Sequence, residues 1–548
     1  MIIKMIDIVP EPKEIFFTGD EKIYKKLVNI TVEEKIDEFD LPEFIKIVRI
    51  DGDLKLKTYK NEKIPSEGYR IKIKDDILVE YSDYRGYQYA VDTVFNLFKK
   101  KGDYVIVPEV EIIDWPSFKM RGIIEGFYGE PWSFEDRIDM ISFLRRHKMN
   151  TYFYAPKDDP YHREKWREPY PIDLLNKLDG LINKCNEKNV DFVFSVSPGN
   201  SIKYTDDYDF KLLCEKYDII ANKGVRKFAL LLDDIDYKLK YEDDIKEFLI
   251  PGNAHAFLCN KVFSYLKDKY NDIEFIMCPT EYHQEEDSDY RRSLREKLDK
   301  NILVFWTGIG VTAPTITNSD ADNIFNIYKH ELVLWDNYPV NDYSKDNLYL
   351  GAVINRSRGL YKHNCRCILS NPMNQAEASK ISLITYSYYM WNPEAYNPYI
   401  ALEKAYKEIG GEGWEYVKFL CENAENPPMW SLETCVSRLI KEYQLTKDNI
   451  ILEKLGEIFE SIYELPDNLE KFVDNKRFLQ DIRPWYNRIK IDGKIGRIAI
   501  NVLKCKENID VLEELLDESR KIENKYLDKI VYDFYVNIID ELGRRKYE

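Results

Sequence analysis

Asp-Asp doublets occur five times in the 548-residue chain, at 75–76, 158–159, 206–207, 233–234 and 243–244. Paired carboxylates can divide acid and base duties, but only where their surroundings push their pKa values apart. Asp233-Asp234 has such surroundings, because it follows Phe228-Ala229-Leu230-Leu231-Leu232, the most apolar run in the chain. A carboxylate leaving a buried strand stands in a low-dielectric mouth. Desolvation and the like-charged neighbour are expected to raise one of the two pKa values there. Asp243-Asp244 lies instead in the solvated charge run 241–246, and Asp75-Asp76 reads as a turn.

The run before Asp233 is one of a series. From about 118 to 372, short apolar segments alternate with charged stretches of helical period. The predicted strands are Arg121–Gly126, Thr151–Ala155, Asp191–Ser197, Phe228–Asp233, Ile273–Cys278, Ile302–Trp306, Leu332–Trp335 and Cys365–Leu369. Several are continuously apolar, as expected of parallel strands buried on both faces. Eight β/α units in about 250 residues have the size and rhythm of a (β/α)8 barrel. The rival, an open doubly wound sheet, lacks a Gly-x-Gly-x-x-Gly turn. Ser133 with Glu135 and Asp136 forms a capping-box-like start to the first barrel helix.

In a barrel the reacting groups come from the C-terminal strand ends. Those ends read Gly126-Phe127-Tyr128-Gly129, Pro156-Lys157-Asp158-Asp159, Asp233-Asp234-Ile235-Asp236, Thr280-Glu281-Tyr282, Thr307-Gly308, Trp335-Asp336-Asn337 with Asp342 beyond, and Asn371-Pro372-Met373. Such a set suits a hydroxylated ligand. Polarity alone is ordinary for loops, and Asp158 and Asp159 read as a structural salt-bridged loop, Trp306 as barrel core.

Residues 1–115 read as a small α/β domain, with a hairpin over Tyr69–Ile73 and Ile77–Val79, a helix over Tyr87–Phe98 and an extended segment over Val105–Pro116. The barrel is assigned 116–380. Residues 381–548 read as a helical bundle, with stripes over 399–408, 414–423, 448–463, 467–480, 493–505 and 508–522 and a last stripe from Leu527 to Ile538. The fold class is therefore α/β, a TIM barrel flanked by two accessory parts. The carboxyl-terminal helices offer a surface for a homodimer.

A net charge of −17 argues against a nucleic-acid partner, which needs a concentrated basic face. The opening MIIKMIDIVPEPKE has no signal-peptide h-region, and no later run reaches the length of a membrane span. The nine cysteines are scattered without a C-x-x-C and read as reduced, buried thiols of a cytoplasmic protein. His162, His255 and His283 lie on separate segments and read as structural, so no metal or organic cofactor is called for.

The stretch from Arg121 to Ser133, RGIIEGFYGEPWS, resembles the signature of glycoside hydrolase family 84, the β-N-acetylglucosaminidases that include O-GlcNAcases and hyaluronidase-type enzymes. Similar in the same order are Met149–Tyr152 through Pro156–His162, Leu232–Ile235, Trp306–Gly308, Trp335–Asp342 and Ser370–Met373. The matches run over the whole predicted barrel. The resemblance implies exo-acting, retaining release of terminal β-linked N-acetylglucosamine from a glycoprotein, glycopeptide or oligosaccharide.

It also implies roles. Asp233 would orient and polarise the substrate's 2-acetamido group, whose carbonyl oxygen attacks the anomeric carbon. Asp234 would protonate the leaving oxygen and then activate the water that opens an oxazoline intermediate, the substrate-assisted variant of the two-carboxylate scheme. Tyr282 would hydrogen-bond the acetamido oxygen. The backbone of Gly126 with Lys157, Asn337, Asp342 and Asn371 would hold the sugar, and Tyr128, Thr307, Val311 and Trp335 would line the pocket. Two rivals are a catalytically silent sugar- or glycopeptide-binding protein on the same barrel and an endo-acting hyaluronan or chitin hydrolase.

Overall fold

The computed structural model describes residues 8, 10–32, 41–283, 285–430, 432–505 and 508–544. Residues 1–7 and 9 of the opening segment, read above as unlike a signal peptide, lie outside them. Among the described residues no helix is long and apolar enough to cross a membrane.

The amino-terminal part is a mixed sheet of β1 (Glu14–Lys25), β2 (Val28–Val32), β3 (Ile45–Val48), β4 (Leu54–Lys60), β5 (Tyr69–Ile73), β6 (Ile77–Tyr81), β7 (Lys99–Lys101) and β8 (Tyr104–Asp114). Its order is β1-β8-β5-β6-β4-β2-β3, with β7 paired to β8. The predicted hairpin is the antiparallel β5–β6 pair, which turns at Lys74-Asp75-Asp76. One helix, Tyr84–Leu97, lies on the sheet and begins at Asp83, whose Oδ1 accepts the Gly86 amide at 3.0 Å.

All eight predicted barrel strands form, with ends shifted by one or two residues: β9 (Met120–Glu125), β10 (Thr151–Tyr154), β11 (Asp191–Val196), β12 (Lys227–Leu231), β13 (Glu274–Cys278), β14 (Leu303–Trp306), β15 (Leu332–Asp336) and β16 (Cys367–Ser370). Every neighbouring pair is parallel and β16 returns to β9, so the sheet closes. Alternation then decides which side chains fill the barrel. Met120 and Ile124, Ala229 and Leu231, Ile276 and Cys278, Phe305, Val333 and Trp335, and Cys367 and Leu369 form the inner core. Trp306, one residue out of phase with Phe305, is wholly buried in the outer core. The reading of Trp306 as plain core holds.

The amino-terminal sheet is fastened to the bottom of the barrel by buried charge. Glu67 pairs with Arg121 and accepts from Asn150, while Arg85 bridges Glu67 at 3.2 Å and Asp191 at 2.6 Å. Beside them Asp114 accepts from Lys148, Tyr69 and the Trp391 indole. Arg121, which opens the family-like stretch, thus serves docking at the end of the barrel remote from the mouth.

Every residue of the helix Ala376–Trp391 is buried. It packs on β9, on β16 and on the helices Phe134–Arg146, Pro398–Gly410 and Lys476–Ile482. Trp391 at its end enters the core of the amino-terminal sheet. A helix buried on all sides has no solvated face, and its polar residues, Glu377 and Lys380 among them, are buried with the rest, so it carries no amphipathic stripe to read. The 380/381 boundary falls inside it.

Beyond lie helices at 398–410, 414–423, 435–446, 449–472, 476–482, 486–505, 509–519 and 529–544. The stripes predicted at 448–463 and 467–480 prove to be one helix, Asn449–Phe472, that runs through Pro466, and a short second one. Ile462, Leu465 and Leu469 are buried on both sides of that proline, and the helix packs along Tyr486–Cys505. This burial offsets the hydrogen bond that proline cannot make. All nine cysteines are unpaired thiols, and six are buried.

Asp481 joins the helical part to the barrel, its Oδ2 accepting the Glu377 and Ala378 amides at 2.8 and 3.0 Å. Burial outweighs these bonds and pushes its pKa up to about 6. A raised folded-state pKa contributes stability that is complete below the unfolded value near 3.8 and lost as pH rises through 6. Asp481→Asn keeps the acceptor and removes the charge. We expect its stability relative to the parent to be highest above pH 6, by up to roughly 3 kcal/mol, and to fall as pH drops to 4. Denaturation midpoints across pH 4–8 measure this; a constant difference would remove Asp481 from the pH response.

Candidate active site

Strand β12 ends at Leu231, two residues earlier than predicted, and the Leu232 amide bonds the Cys278 carbonyl. The chain then turns sharply enough that Asp234 takes φ = 47°, a left-handed conformation that aspartate tolerates better than most side chains. The two carboxylates therefore do not share an environment. Asp233 is 4% exposed, whereas the Asp234 side chain is 34% exposed.

Lys157, from the end of β10, reaches Asp233 Oδ2 and lies 3.8 Å from Asp234 Oδ2. Burial would depress the lysine, but Asp233, Tyr128 and Asp234 outweigh it and push its pKa up to about 12. Its ammonium stays charged. Asp233 Oδ1 is buried without a partner.

Asp234 is held from both sides by phenols. Tyr128, beyond β9, donates to Oδ2 at 2.8 Å, and Tyr282, beyond β13, donates to Oδ1 at 3.0 Å. Desolvation raises its pKa, yet Lys157, the two phenols and Arg163 together hold it below the usual aspartate value. The expectation that the site raises the acid's pKa is therefore wrong for Asp234 in this state, because donors converge on its carboxylate. Burial and Asp234 push Tyr282 well up, so it keeps its proton.

The remaining residues complete a cleft of about 550 Å³. Lys157 lies over the rings of Tyr128 and Trp335. Trp335 rises from the inner core beside Cys278 to line the cleft. Gly126 lets it close in, since a Cβ there would stand 2.5 Å from the indole. On the far wall Asn371 donates to Asn337 Oδ1 at 2.9 Å, Asn337 donates to the Val311 carbonyl at 2.7 Å, and Asn371 Oδ1 is buried without a partner. Asp342 accepts the Tyr128 amide at 2.8 Å, and burial raises its pKa. Thr307 is fixed through its amide to the Tyr282 carbonyl.

All twelve residues singled out from the sequence line this one cleft: Asp233, Asp234, Tyr282, Gly126, Tyr128, Lys157, Thr307, Val311, Trp335, Asn337, Asp342 and Asn371. Sequence reasoning missed Cys278, Thr312, Val340 and Tyr343, which also line it. Alternation with Ile276 could have found Cys278; the other three sit on loops, where no period points inward. Arg163, one residue past the matched 156–162 segment, was missed as well. Asp159 proves structural, and among the described residues it is held by phenols rather than by a salt bridge, its Oδ2 accepting from Tyr154 and Tyr170 at 2.8 and 3.0 Å. Among the histidines, His162 bonds the Ser195 carbonyl and His255 the Tyr290 phenol. His283 stacks edge-on against Tyr282.

The β-N-acetylglucosaminidase family matches residues 121–421, and domain 2 of glycosyl hydrolase family 20 matches residues 5–115. The protein O-GlcNAcase of Rattus norvegicus is 35% identical over 270 residues, covering 48% of this chain and 29% of that protein. The chain thus spans under a third of that relative's length. The solved structure of CpGH84B superposes with a TM-score of 0.83 at 31% identity, covering 97% of this chain and all of that one. A mutant of the Thermobaculum terrenum O-GlcNAc hydrolase gives 0.74 at 29% identity, over 79% of this chain and 98% of the other. With the family match covering the barrel and its mouth, and CpGH84B matched end to end, the chain belongs to glycoside hydrolase family 84, the β-N-acetylglucosaminidase family.

Proposed function

We propose that the protein is a retaining exo-β-N-acetylglucosaminidase that uses the substrate's own acetamido group as nucleophile. The observation that carries this reading is the asymmetric acidic pair: Asp233 buried against Lys157, and Asp234 facing the cleft under two phenols. An anion locked by a cation cannot serve as a proton donor, but it can stabilise positive charge developing on an amide nitrogen. Asp233 Oδ1, buried and unpartnered, is the acceptor for that N–H. The walled cleft suits one terminal sugar, which favours exo over endo action. By analogy with the named activities of the rat and Thermobaculum relatives, the finer proposal is O-linked N-acetylglucosamine on protein serine or threonine.

The lowered pKa of Asp234 requires a change on binding before it can act as an acid. The Tyr282 hydroxyl, now on Asp234 Oδ1, is the group that would turn to the acetamido carbonyl. That turn removes one bond stabilising the Asp234 anion, while the sugar excludes water from it. Both raise the pKa of Asp234 in the complex. The alkaline limb of kcat should therefore lie at higher pH than that of kcat/KM; coincident limbs would show that binding leaves the acid unchanged.

Asp234→Asn should cripple alkyl and peptide glycosides by about two to four orders of magnitude and spare a nitrophenyl glycoside, whose aglycone departs without protonation. Rates measured against leaving-group pKa test this, and equal losses would take the acid role from Asp234.

Asp233→Asn should lower kcat by roughly two to four orders of magnitude even with a nitrophenol leaving group, because protonating the aglycone is not its task. If better leaving groups rescued it as fully as Asp234→Asn, the two roles would be exchanged.

A bicyclic thiazoline that mimics the oxazoline should bind far more tightly than N-acetylglucosamine, and a trifluoroacetamido substrate should turn over steeply more slowly. A sugar trapped covalently on either aspartate, seen by mass spectrometry of the quenched enzyme, would overturn the mechanism.

A further inference from the structure

Arg163 sits in the loop beyond β10, half-buried at the rim of the cleft. Its Nη1 donates to the Tyr128 phenol oxygen at 3.0 Å and its Nη2 to the Asp234 backbone carbonyl at 3.2 Å. Tyr128 in turn donates to Asp234 Oδ2 at 2.8 Å. One guanidinium therefore holds the general acid twice, directly by its backbone and through a phenol by its side chain. We propose that Arg163 is the positioning residue that sets the orientation and acidity of Asp234, an inference that rests on the acid role assigned to Asp234 above.

The direction of the hydrogen bonds makes this specific. A guanidinium has five donors and no acceptor. The Tyr128 oxygen must accept from Arg163, so the single phenolic proton is committed to Asp234 Oδ2. A bond from a charged donor also polarises the phenol and strengthens the one it gives onward. Oδ2 is thereby kept as an acceptor. Oδ1, bonded by Tyr282 until substrate arrives, is the oxygen left to carry the transferable proton. The bond to the Asp234 carbonyl acts on the peptide that follows the left-handed residue, where nothing in the intrinsic preference of an L-residue would hold the turn.

The groups facing Asp234 are Lys157, Tyr128, Tyr282, Arg163, the Asp233 carboxylate and, deeper, the Cys278 thiol. Arg163 works in the same direction as Lys157, lowering the pKa of Asp234. Its removal raises that pKa in the free enzyme and loosens the acid.

Arg163→Met and Arg163→Lys, assayed with methyl and nitrophenyl N-acetyl-β-glucosaminides across pH, test the proposal. For Arg163→Met the alkaline limb of kcat/KM should move up by about 0.5–1 pH unit. Its kcat should fall about tenfold or more for the methyl glycoside and much less for the nitrophenyl one. Arg163→Lys keeps the charge but cannot span both partners, so it should restore the limb and only part of kcat. In an Asp234→Asn background Arg163→Met should cost nothing further. A uniform loss across leaving groups with an unmoved limb, a rise in KM alone, or an additive loss in the Asp234→Asn background would overturn the proposal. Should Arg163→Met fail to fold, Tyr128→Phe severs the side-chain branch alone and should move the same limb the same way; an unmoved limb there overturns the proposal too. Equal losses for Asp234→Asn itself would instead overturn the acid assignment on which it rests.

Discussion

Lys157 and Asp233 are both buried at the barrel mouth, and neither is tenable there without the other. An unpaired charge in such a place is worth avoiding by several kcal/mol, and breaking a buried pair costs about 3–5 kcal/mol. The chemistry of the site depends on this pair. Lys157 is bonded to Asp233 Oδ2 and stands farther from Asp234 Oδ2, at 3.8 Å, so the two carboxylates meet the same cation unequally. Adjacent residues of one type are thus set in different surroundings by one ammonium group.

The second carboxylate is governed by geometry rather than burial. A turn that starts as soon as β12 ends places Asp234 in the left-handed region and points it into the cleft, where two phenols and a guanidinium arrive from three other strand ends. Those groups keep it ionised while water has access. The far wall is secured from behind. Asp336, at the end of β15, is locked by a bidentate pair with Arg356 at 2.8 Å, and its carbonyl accepts the Asn371 and Tyr338 amides. The neighbours Trp335 and Asn337 are held in place from that point.

The accessory parts attach through unlike means. The amino-terminal sheet meets the barrel bottom through the buried charges of Glu67, Arg121, Asp114 and Lys148 and the partly buried Arg85, which specify one docking geometry. The carboxyl-terminal helices attach along the wholly buried helix Ala376–Trp391 and reach round to the mouth. There the Lys525 amide and the Trp485 indole both bond the Asp346 carbonyl, on the loop that carries Asp342 and Tyr343. The helical part therefore braces one wall of the cleft.

Much of this was legible before folding. Continuous apolar runs of strand length at regular spacing define parallel barrel strands, because only burial on both faces tolerates them, and a barrel places its reactive groups at the strand ends. Together with the ordered family-like motifs, that identified the eight strands and the twelve cleft residues. Periodicity was blind elsewhere for definite reasons. The helix Ala376–Trp391 has no solvated face, Pro466 imitates a helix end, and Cys278 looks like any core thiol until the barrel closes around it. Local sequence also could not assign the charges. The rise in pKa expected of an acidic doublet in a dry mouth is reversed at Asp234, because Lys157, Tyr128, Arg163 and Tyr282 come from loops up to 154 residues apart. Residue types and strand spacing, which are local properties, were determined by the sequence alone; which carboxylate is locked and which is poised depends on electrostatics between distant segments, and only the tertiary structure decided that.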